Sequence, residues 1–156
     1  MLYRPYTAND FAALYAVEEI CFQPPSRFGR GYMRHLVSAA NSATWIAEED
    51  GALAGFAIVE WSRRRGGISA YIQTIEVAPE QRGHGVGSEL LCRVEGSART
   101  AQAVTIWLHV DAQNLQAIRL YEAHGYGCAG REEDYYASGR AGLLYAKRLN
   151  TESPAN

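Results

Sequence analysis

Gly83, Gly85 and Gly87 stand at alternate positions between a strand-like segment and a helix-like segment of the sequence. A glycine inside a helix costs roughly 0.5–1 kcal/mol relative to alanine, so this arrangement needs a physical reason. Either the chain turns sharply here, or a ligand approaches the main chain more closely than a side chain would allow. In both cases a strand passes directly into a helix, as in the first half of a βαβ unit.

Hydrophobic periodicity predicts strands and helices on both sides of this turn. Thr7 and Asp10 have the spacing of a capping box before the first helix. Asp50-Gly51 predicts a tight hairpin, and Gly125 predicts the end of the last helix. The predicted strands cover residues 2–6, 44–49, 52–61, 69–77, 104–110, 126–132 and 142–148; the predicted helices extend from Thr7 to about residue 21 and cover residues 32–37, 86–100 and 114–124.

The order strand, glycine turn, helix, strand in the middle of the chain predicts one parallel pair of strands. Hairpins flank this unit, so we expect an α/β (α+β) fold with a mixed sheet and helices on its faces. The length of 156 residues suits one domain, which we expect to cover residues 1–149. Residues 150–156 are polar and are predicted to form a disordered tail.

Charge and cysteine content exclude several classes of protein. Fifteen basic side chains against seventeen acidic ones give a net charge of −2, which argues against a nucleic-acid-binding protein. Cys21, Cys92 and Cys128 are scattered, which predicts neither a disulfide framework nor a metal site. Residues 1–5 lack the apolar segment of a secretory signal, and no apolar run is long enough to cross a bilayer. We therefore expect a cytoplasmic protein that does not act at a membrane.

Three phosphate-binding motifs compete for the glycine turn. A dinucleotide fingerprint that starts at Gly83 would need glycine at the position of Ser88, and a P-loop would need a lysine that is absent. What remains is R-x-x-G-x-G over residues 82–87, at the start of a helix. Unpaired amides and the helix dipole can hold an anion there, although a tight turn without a ligand explains the same glycines.

The R-x-x-G-x-G turn is followed by Asn114-x-x-Ala-x-x-x-Tyr121 and then by Gly125-Tyr126. This combination resembles the GCN5-related N-acetyltransferase (GNAT) superfamily, over about residues 2–149. The resemblance implies six to seven mostly antiparallel strands, a central splayed parallel pair and about four helices. It is strongest to the ribosomal-protein alanine N-acetyltransferase group and the related protein N-terminal acetyltransferases.

The resemblance implies acetyl-coenzyme A as the cofactor, without a metal. The amides of residues 83–88, together with Arg82, would hold its pyrophosphate, and the backbone of Ile75 and Val77 would pair with its pantetheine arm. Asn114 would hold coenzyme A or the splay of the strands through its amide. The implied cofactor-binding residues are Ile75, Val77, Arg82, Gly83, His84, Gly85, Val86, Gly87, Ser88, Asn114 and Tyr121.

The resemblance also implies catalytic roles. Tyr121 matches the family tyrosine that donates a proton to the sulfur of coenzyme A, and a phenol can donate a hydrogen bond. His109 stands where the alanine acetyltransferase group has a glutamate base; with Tyr71 it matches enzymes that act on methionine-led N-termini. Tyr71 and His109 are thus predicted to deprotonate the amine, directly or through water, with Glu76 as an alternative base. No cysteine motif favours a covalent route over direct attack.

Two segments are predicted to hold the substrate. Phe22, Pro24 and Pro25 follow the first helix, where the N-terminal acetyltransferases carry an aromatic-proline loop. Tyr135 and Tyr136 are predicted to lie in a loop between the last two strands and to cover a peptide backbone.

These segments favour a protein or peptide N-terminus as substrate, with a ribosomal protein as one candidate. A lysine side chain, a small-molecule amine and a non-catalytic acetyl-coenzyme A-binding module remain alternatives. We expect a monomer or a weak homodimer.

Overall fold

In the computed structural model, which describes residues 1–149, the chain forms one sheet with helices on both faces. The tail predicted to be disordered, residues 150–156, lies outside the described residues. The strands are β1 (Leu2–Pro5), β2 (Ser42–Glu49), β3 (Ala52–Arg64), β4 (Gly67–Val77), β5 (Ala103–Asp111), β6 (Gly127–Ala137) and β7 (Arg140–Arg148). The helices are α1 (Phe11–Cys21), α2 (Arg30–Ser38), α3 (Val86–Thr100) and α4 (Leu115–Ala123), with short 3₁₀ helices at Ala8–Asp10 and Pro79–Gln81.

The seven strands have the order β1-β2-β3-β4-β5-β7-β6. All neighbours are antiparallel except β4 and β5, which α3 connects as a parallel pair. Their pairing runs from Ile68 with Ala103 to Tyr71 with Trp107 and no farther among residues 1–149. The sheet therefore opens into a fork between the later halves of β4 and β5. The mixed sheet and its splayed parallel pair, predicted from the sequence, are confirmed.

The sheet separates two hydrophobic cores. The first lies under α3 and α4 and contains Leu90, Leu91 and Val94 of α3. The second lies under α1 and α2 and contains Leu14 and Met33. Since helices cover both faces, residues that line the fork can be supported from either side of the sheet.

A β-bulge in β4 decides which of its side chains share a face. Ile58 pairs with Thr74 while the next residue, Val59, pairs with Ile72, so Gln73 is the extra residue. Simple alternation would place position 76 opposite position 71. The bulge instead brings Tyr71, on one side of it, and Glu76, on the other, to the α1/α2 face.

The prediction that Tyr135 and Tyr136 lie in a loop is wrong, because both residues belong to β6. The register of β6 against β7 is irregular between Glu132 and Ala137, and Asp134 has a φ of 56°. The strand therefore continues through a bulge, although the alternation of side chains that predicts a strand from the sequence ends there. The ring of Tyr135 crosses Gly142 so closely that a Cβ built there would lie 2.7 Å from Tyr135 Cδ1, so only glycine fits.

The Asp50-Gly51 hairpin is confirmed, with φ of 50° and 81° at its two turn residues. Both angles are positive, as a two-residue turn between twisted strands requires. None of the helices in residues 1–149 is long and apolar enough to cross a lipid bilayer.

Candidate active site

The glycine turn lies at the N-terminus of α3, beside the end of β4. Gly83 and Gly85 both have a φ of 80°, a backbone conformation that disfavours any side chain. A Cβ at either position would meet no atom within 4 Å, so both residues border open space. No side chain caps this end of α3. The first amides of the helix are therefore available to an anion, as a diphosphate requires.

The polar side chains of this turn contact the protein itself. Arg82 Nε donates to the carbonyl of Val77 (3.0 Å), and Ser88 Oγ lies 2.7 Å from Nε2 of His124. His84 is exposed and lies 3.2 Å from the carbonyl of Gln81 through Nδ1. The turn is thus attached to β4 and to the end of α4, while its backbone amides stay uncapped.

Two of the predicted site residues belong to α4: Asn114 precedes its first turn, and Tyr121 lies in its last part. Asn114 caps the helix, since its Oδ1 accepts from the amide of Ala117 (3.2 Å). Tyr121 is buried, with 7% of its surface exposed, and its hydroxyl has no protein partner within residues 1–149. Burial raises the pKa of Tyr121 far above its ordinary value, so the phenol keeps its proton at neutral pH. The neutral phenol can therefore donate a hydrogen bond, and no phenolate is present at neutral pH to act as a base.

Tyr71 and His109 meet where the parallel strands part. Tyr71 belongs to the last β4–β5 pair, and His109 lies two residues farther along β5. The Tyr71 hydroxyl is 3.0 Å from His109 Nδ1. Burial, with the neighbouring Tyr135, raises the pKa of Tyr71 far above its usual value. The Glu132 carboxylate, 3.3 Å from His109 Nε2, can only accept a hydrogen bond; the tautomer with its proton on Nε2 fits this contact and leaves Nδ1 to accept from the Tyr71 hydroxyl.

Glu132 completes a chain of contacts that the sequence motifs do not indicate. Its Oε1 lies 3.3 Å from His109 Nε2, and its side chain is 57% exposed. Tyr71, His109 and Glu132 thus form a continuous path from a half-buried hydroxyl to a solvent-accessible carboxylate. Glu132 and His109 are 23 residues apart, so only the strand order β5-β7-β6 reveals their contact.

Aromatic rings surround this path. The ring of Trp107 lies 4.4 Å from Tyr71, and that of Tyr135 stacks on His109 at 4.3 Å. Burial, followed by Tyr135, Asp111 and Tyr121, raises the pKa of Tyr136. The predicted substrate residues Tyr135 and Tyr136 therefore do lie beside the predicted catalytic residues. Trp107 was missed as a site residue, although its alternation with His109 already placed both side chains on one face.

Side-chain hydrogen bonds from α1 and from within the loop hold the backbone of the α1–α2 loop, residues 22–29. Glu18 Oε2 accepts from the amide of Phe28 (3.0 Å), and the Tyr15 hydroxyl donates to the carbonyl of Phe28 (2.7 Å). Arg27 Nε donates to the carbonyl of Phe22 (3.0 Å). The predicted substrate residues Pro24 and Pro25 are exposed on this loop.

Tyr32, at the start of α2, packs edge-on against Phe28 of the α1–α2 loop, and it contributes to the raised pKa of Tyr71. The helical periodicity of the sequence gave no sign of these contacts. Residues 1–149 contain no group of three His, Cys, Asp or Glu side chains placed to hold a metal ion.

The comparisons with known proteins agree with this geometry. Residues 10–126 match the Acetyltransferase (GNAT) family. The chain belongs to this family. Among curated relatives of this GNAT protein, the streptothricin acetyltransferase of Streptomyces lavendulae is 38% identical over 98 residues, or 62% of this chain and 51% of the relative. The bS18-alanine N-acetyltransferase of Escherichia coli K12 is 32% identical over 88 residues, or 56% of this chain and 57% of the relative.

The matched part of the GNAT chain spans about half the length of these curated relatives. Solved structures match over nearly all of it. The Escherichia coli ribosomal-protein-S18-alanine N-acetyltransferase has a TM-score of 0.83 at 22% identity, over 98% of this chain and 96% of that one. Arabidopsis thaliana NAA60 in complex with a bisubstrate analogue has a TM-score of 0.83 at 22% identity, and the match covers 97% of this chain and 99% of that one. At this identity the likeness shows the fold.

Proposed function

We propose that this protein transfers an acetyl group from acetyl-coenzyme A to an amine, with the N-terminal α-amine of a protein as the preferred acceptor. One observation carries the proposal: the Tyr71–His109 pair lies in the β4–β5 fork of a GNAT domain whose α3 N-terminus is uncapped beside two open glycines. A solved neighbour of the same fold, NAA60, is described with acetyl-CoA.

The residues around the fork suit this cofactor. The amides of residues 83–88 and Arg82 would hold the diphosphate, the backbone of Ile75 and Val77 would pair with the pantetheine arm, and Asn114 would contact the same molecule. When bound, acetyl-coenzyme A supplies an acetyl group activated as a thioester. Tyr121 would protonate the leaving sulfur, and its burial and the absence of a protein partner for its hydroxyl within residues 1–149 support this role.

The Tyr71–His109–Glu132 path gives the amine proton a destination. The amine, directly or through a water, passes a proton to the Tyr71 oxygen while the Tyr71 proton moves to His109 Nδ1. The imidazolium that forms keeps its Nε2 proton, which faces the Glu132 carboxylate at 3.3 Å. Charge thus moves from the amine to an ion pair at the surface, and Tyr71 keeps one proton throughout.

Direct attack is favoured over an acetyl-cysteine intermediate. Burial raises the pKa of the Cys21 thiol and that of the Cys92 thiol, and Cys21 accepts a hydrogen bond from Arg82 at 3.4 Å. A thiol that keeps its proton is a poor nucleophile. Cys128 is exposed and contacts the carbonyl of Gly130.

The aromatic wall of Tyr32, Tyr135 and Tyr136 supports a peptide substrate, since tyrosines offer rigid contact area with a polar end. The streptothricin acetyltransferase relative supports a second candidate, a small-molecule amine acceptor. A ribosomal protein remains one candidate substrate. The acetyltransferase itself is proposed to be a monomer or a weak homodimer. A non-catalytic coenzyme A-binding module is the candidate from another class.

Acetylation of a library of N-terminal peptides, beside a panel of free amines, tests these candidates. Mass spectrometry locates the added group on the α-amine, a lysine or neither. Acetylation of free amines without acetylation of any peptide would indicate that the acceptor is a small molecule and not a protein. Saturable binding of acetyl-coenzyme A without transfer to any acceptor would indicate a non-catalytic coenzyme A-binding module.

Replacing His109 by glutamine should lower kcat/KM about tenfold at neutral pH and leave the acidic limb of the pH–rate profile to the ionisation of the amine alone. The loss is modest for an α-amine, because its pKa of about 7.7–8.0 leaves a neutral fraction without a base. Histidine titrates in this pH range, whereas glutamine does not. His35→Gln on the exposed face of α2 is the matched control. An unchanged acidic limb in His109→Gln would contradict the relay.

A further inference from the structure

Glu18 of α1 and Glu76 of β4 are buried carboxyl groups outside the proposed relay. Glu18 is 0% exposed and Glu76 is 3% exposed. One oxygen of each is satisfied: Glu18 Oε2 accepts from the Phe28 amide (3.0 Å), and Glu76 Oε2 accepts from the Thr74 hydroxyl (2.8 Å). The other oxygen of each, Oε1, has no partner within residues 1–149. Buried polar atoms without partners are rare and call for an explanation.

The two carboxyl groups lie against each other. Helix α1 packs on β4, and Cys21 Sγ, at the end of α1, is 3.7 Å from the carbonyl of Val77. Both side chains are buried on the α1/α2 face of the sheet, where α1 contacts β4, and hydrogen bonding with Glu18 contributes to the raised pKa of Glu76. Two adjacent buried carboxylates cannot both be ionised without a large cost, whereas one proton between them satisfies both free oxygens.

We propose that Glu18 and Glu76 share one proton, and that this hydrogen bond positions the α1–α2 loop against β4. Glu18 holds the loop through the Phe28 amide, and Glu76 belongs to the strand proposed to pair with the pantetheine arm. The shared proton thereby fixes the distance between the proposed substrate side and the proposed cofactor side of the fork.

The surroundings of the pair favour retention of the proton. Burial first, and then Glu18, raises the pKa of Glu76 well above the ordinary carboxyl value of 4.5. Around the pair, α1 adds the Cys21 thiol, the turn before α3 adds the Arg82 guanidinium, and β3 adds the apolar Phe56. Arg82 contacts Val77 and Cys21 and does not donate to either glutamate.

The raised pKa of Glu76 fixes the direction of the pH dependence. The folded state keeps a proton that the unfolded state has lost, so the pair favours folding below pH 4.5 and loses this contribution as pH rises to the raised pKa. The thermal midpoint should fall as pH rises through this window, by roughly 3–5 °C for each unit of pKa elevation. Above the window, repulsion loosens the α1–α2 loop.

Glu76→Gln and Glu18→Gln test the proposal, because an amide donates the hydrogen bond at every pH. Thermal unfolding of each variant is measured from about pH 5 to about pH 9, a range that reaches the pKa of about 8–9 documented for buried glutamates. Both variants should show a flatter midpoint–pH curve than the wild type. Glu80→Gln, an exposed acid in the turn after β4, is the matched control and should keep the wild-type slope. Equal slopes in all four proteins would overturn the proposal.

A second measurement needs no variant. In wild-type protein with ¹³C-labelled glutamate, one carboxyl carbon should titrate well above the ordinary range; ordinary titration of all of them contradicts the shared proton. The functional part rests on the proposed acetyl transfer: as pH rises through the same window, KM for the amine should rise in the wild type and stay flat in Glu18→Gln, with kcat little changed. Unfolding and titration do not depend on turnover, so they separate failure of this proposal from failure of the proposed function.

Discussion

Replacing Tyr121 by phenylalanine should lower kcat by about 10²- to 10⁴-fold, the range for loss of a positioned general acid. The phenol is buried, its pKa is raised by burial, and its hydroxyl has no protein partner within residues 1–149. Phenylalanine keeps the ring that packs 5.8 Å from Tyr126. The variant should therefore fold normally and bind acetyl-coenzyme A with near-wild-type affinity, as measured by calorimetry, while turnover falls.

Tyr145→Phe provides the matched control for this substitution. Tyr145 is also buried, on β7, and its hydroxyl makes only a long contact of 3.4 Å with Glu122. Its loss should change kcat less than about twofold. Wild-type kcat in Tyr121→Phe would assign the leaving-group proton to another donor. If His109→Gln were silent as well, the non-catalytic binding module would become the better account.

Local signals were enough to predict the order of the elements. Asp50-Gly51 fixes its hairpin through two positive φ angles, which few residue pairs tolerate. The alternation of Trp107 with His109 predicted the face on which both side chains lie, and the structure places them together. The parallel pair followed from the strand–turn–helix–strand order around the glycines, because a parallel connection needs a crossover.

The contacts that complete the site depend on tertiary structure. The bulge at Gln73 changes which side chains of β4 share a face, and nothing in the periodicity of residues 69–77 announces it. Glu132 of β6 reaches His109 of β5 across the intervening strand β7, an order that the sequence does not reveal. Glu18 and Glu76 come together across a helix–sheet interface; the sequence shows two acids and not the proton that they are proposed to share.

Both faces of the sheet contribute to the fork, and this arrangement explains why a splayed strand pair is useful. Tyr121 stands on α4 above one face, while Tyr71 and His109 project from the other. Continuous pairing of β4 with β5 would separate these groups by a layer of hydrogen-bonded backbone. The opening after Tyr71 and Trp107 would let the proposed base on one face accept the amine proton while the proposed acid on the other face protonates the leaving sulfur.

The double substitution Gly83→Ala/Gly85→Ala should weaken acetyl-coenzyme A binding on the order of 100-fold. Both residues have a φ of 80°, and a new Cβ at either would enter the open space beside the α3 amides. Loss of two hydrogen bonds to a charged diphosphate, at about 1.5 kcal/mol each, amounts to a factor of this size. Calorimetric titration of the folded variant measures it directly.

The control separates this effect from backbone strain. Gly51→Ala meets the same conditions, a φ of 81° and no atom within 4 Å of the new Cβ, in the β2–β3 hairpin. Each alanine with a positive φ should cost about 1–2 kcal/mol of folding stability, wherever it lies. Gly51→Ala should therefore lower the thermal midpoint without changing the dissociation constant. Equal affinity in both variants would mean that the glycines only turn the chain, and the diphosphate would have to bind elsewhere.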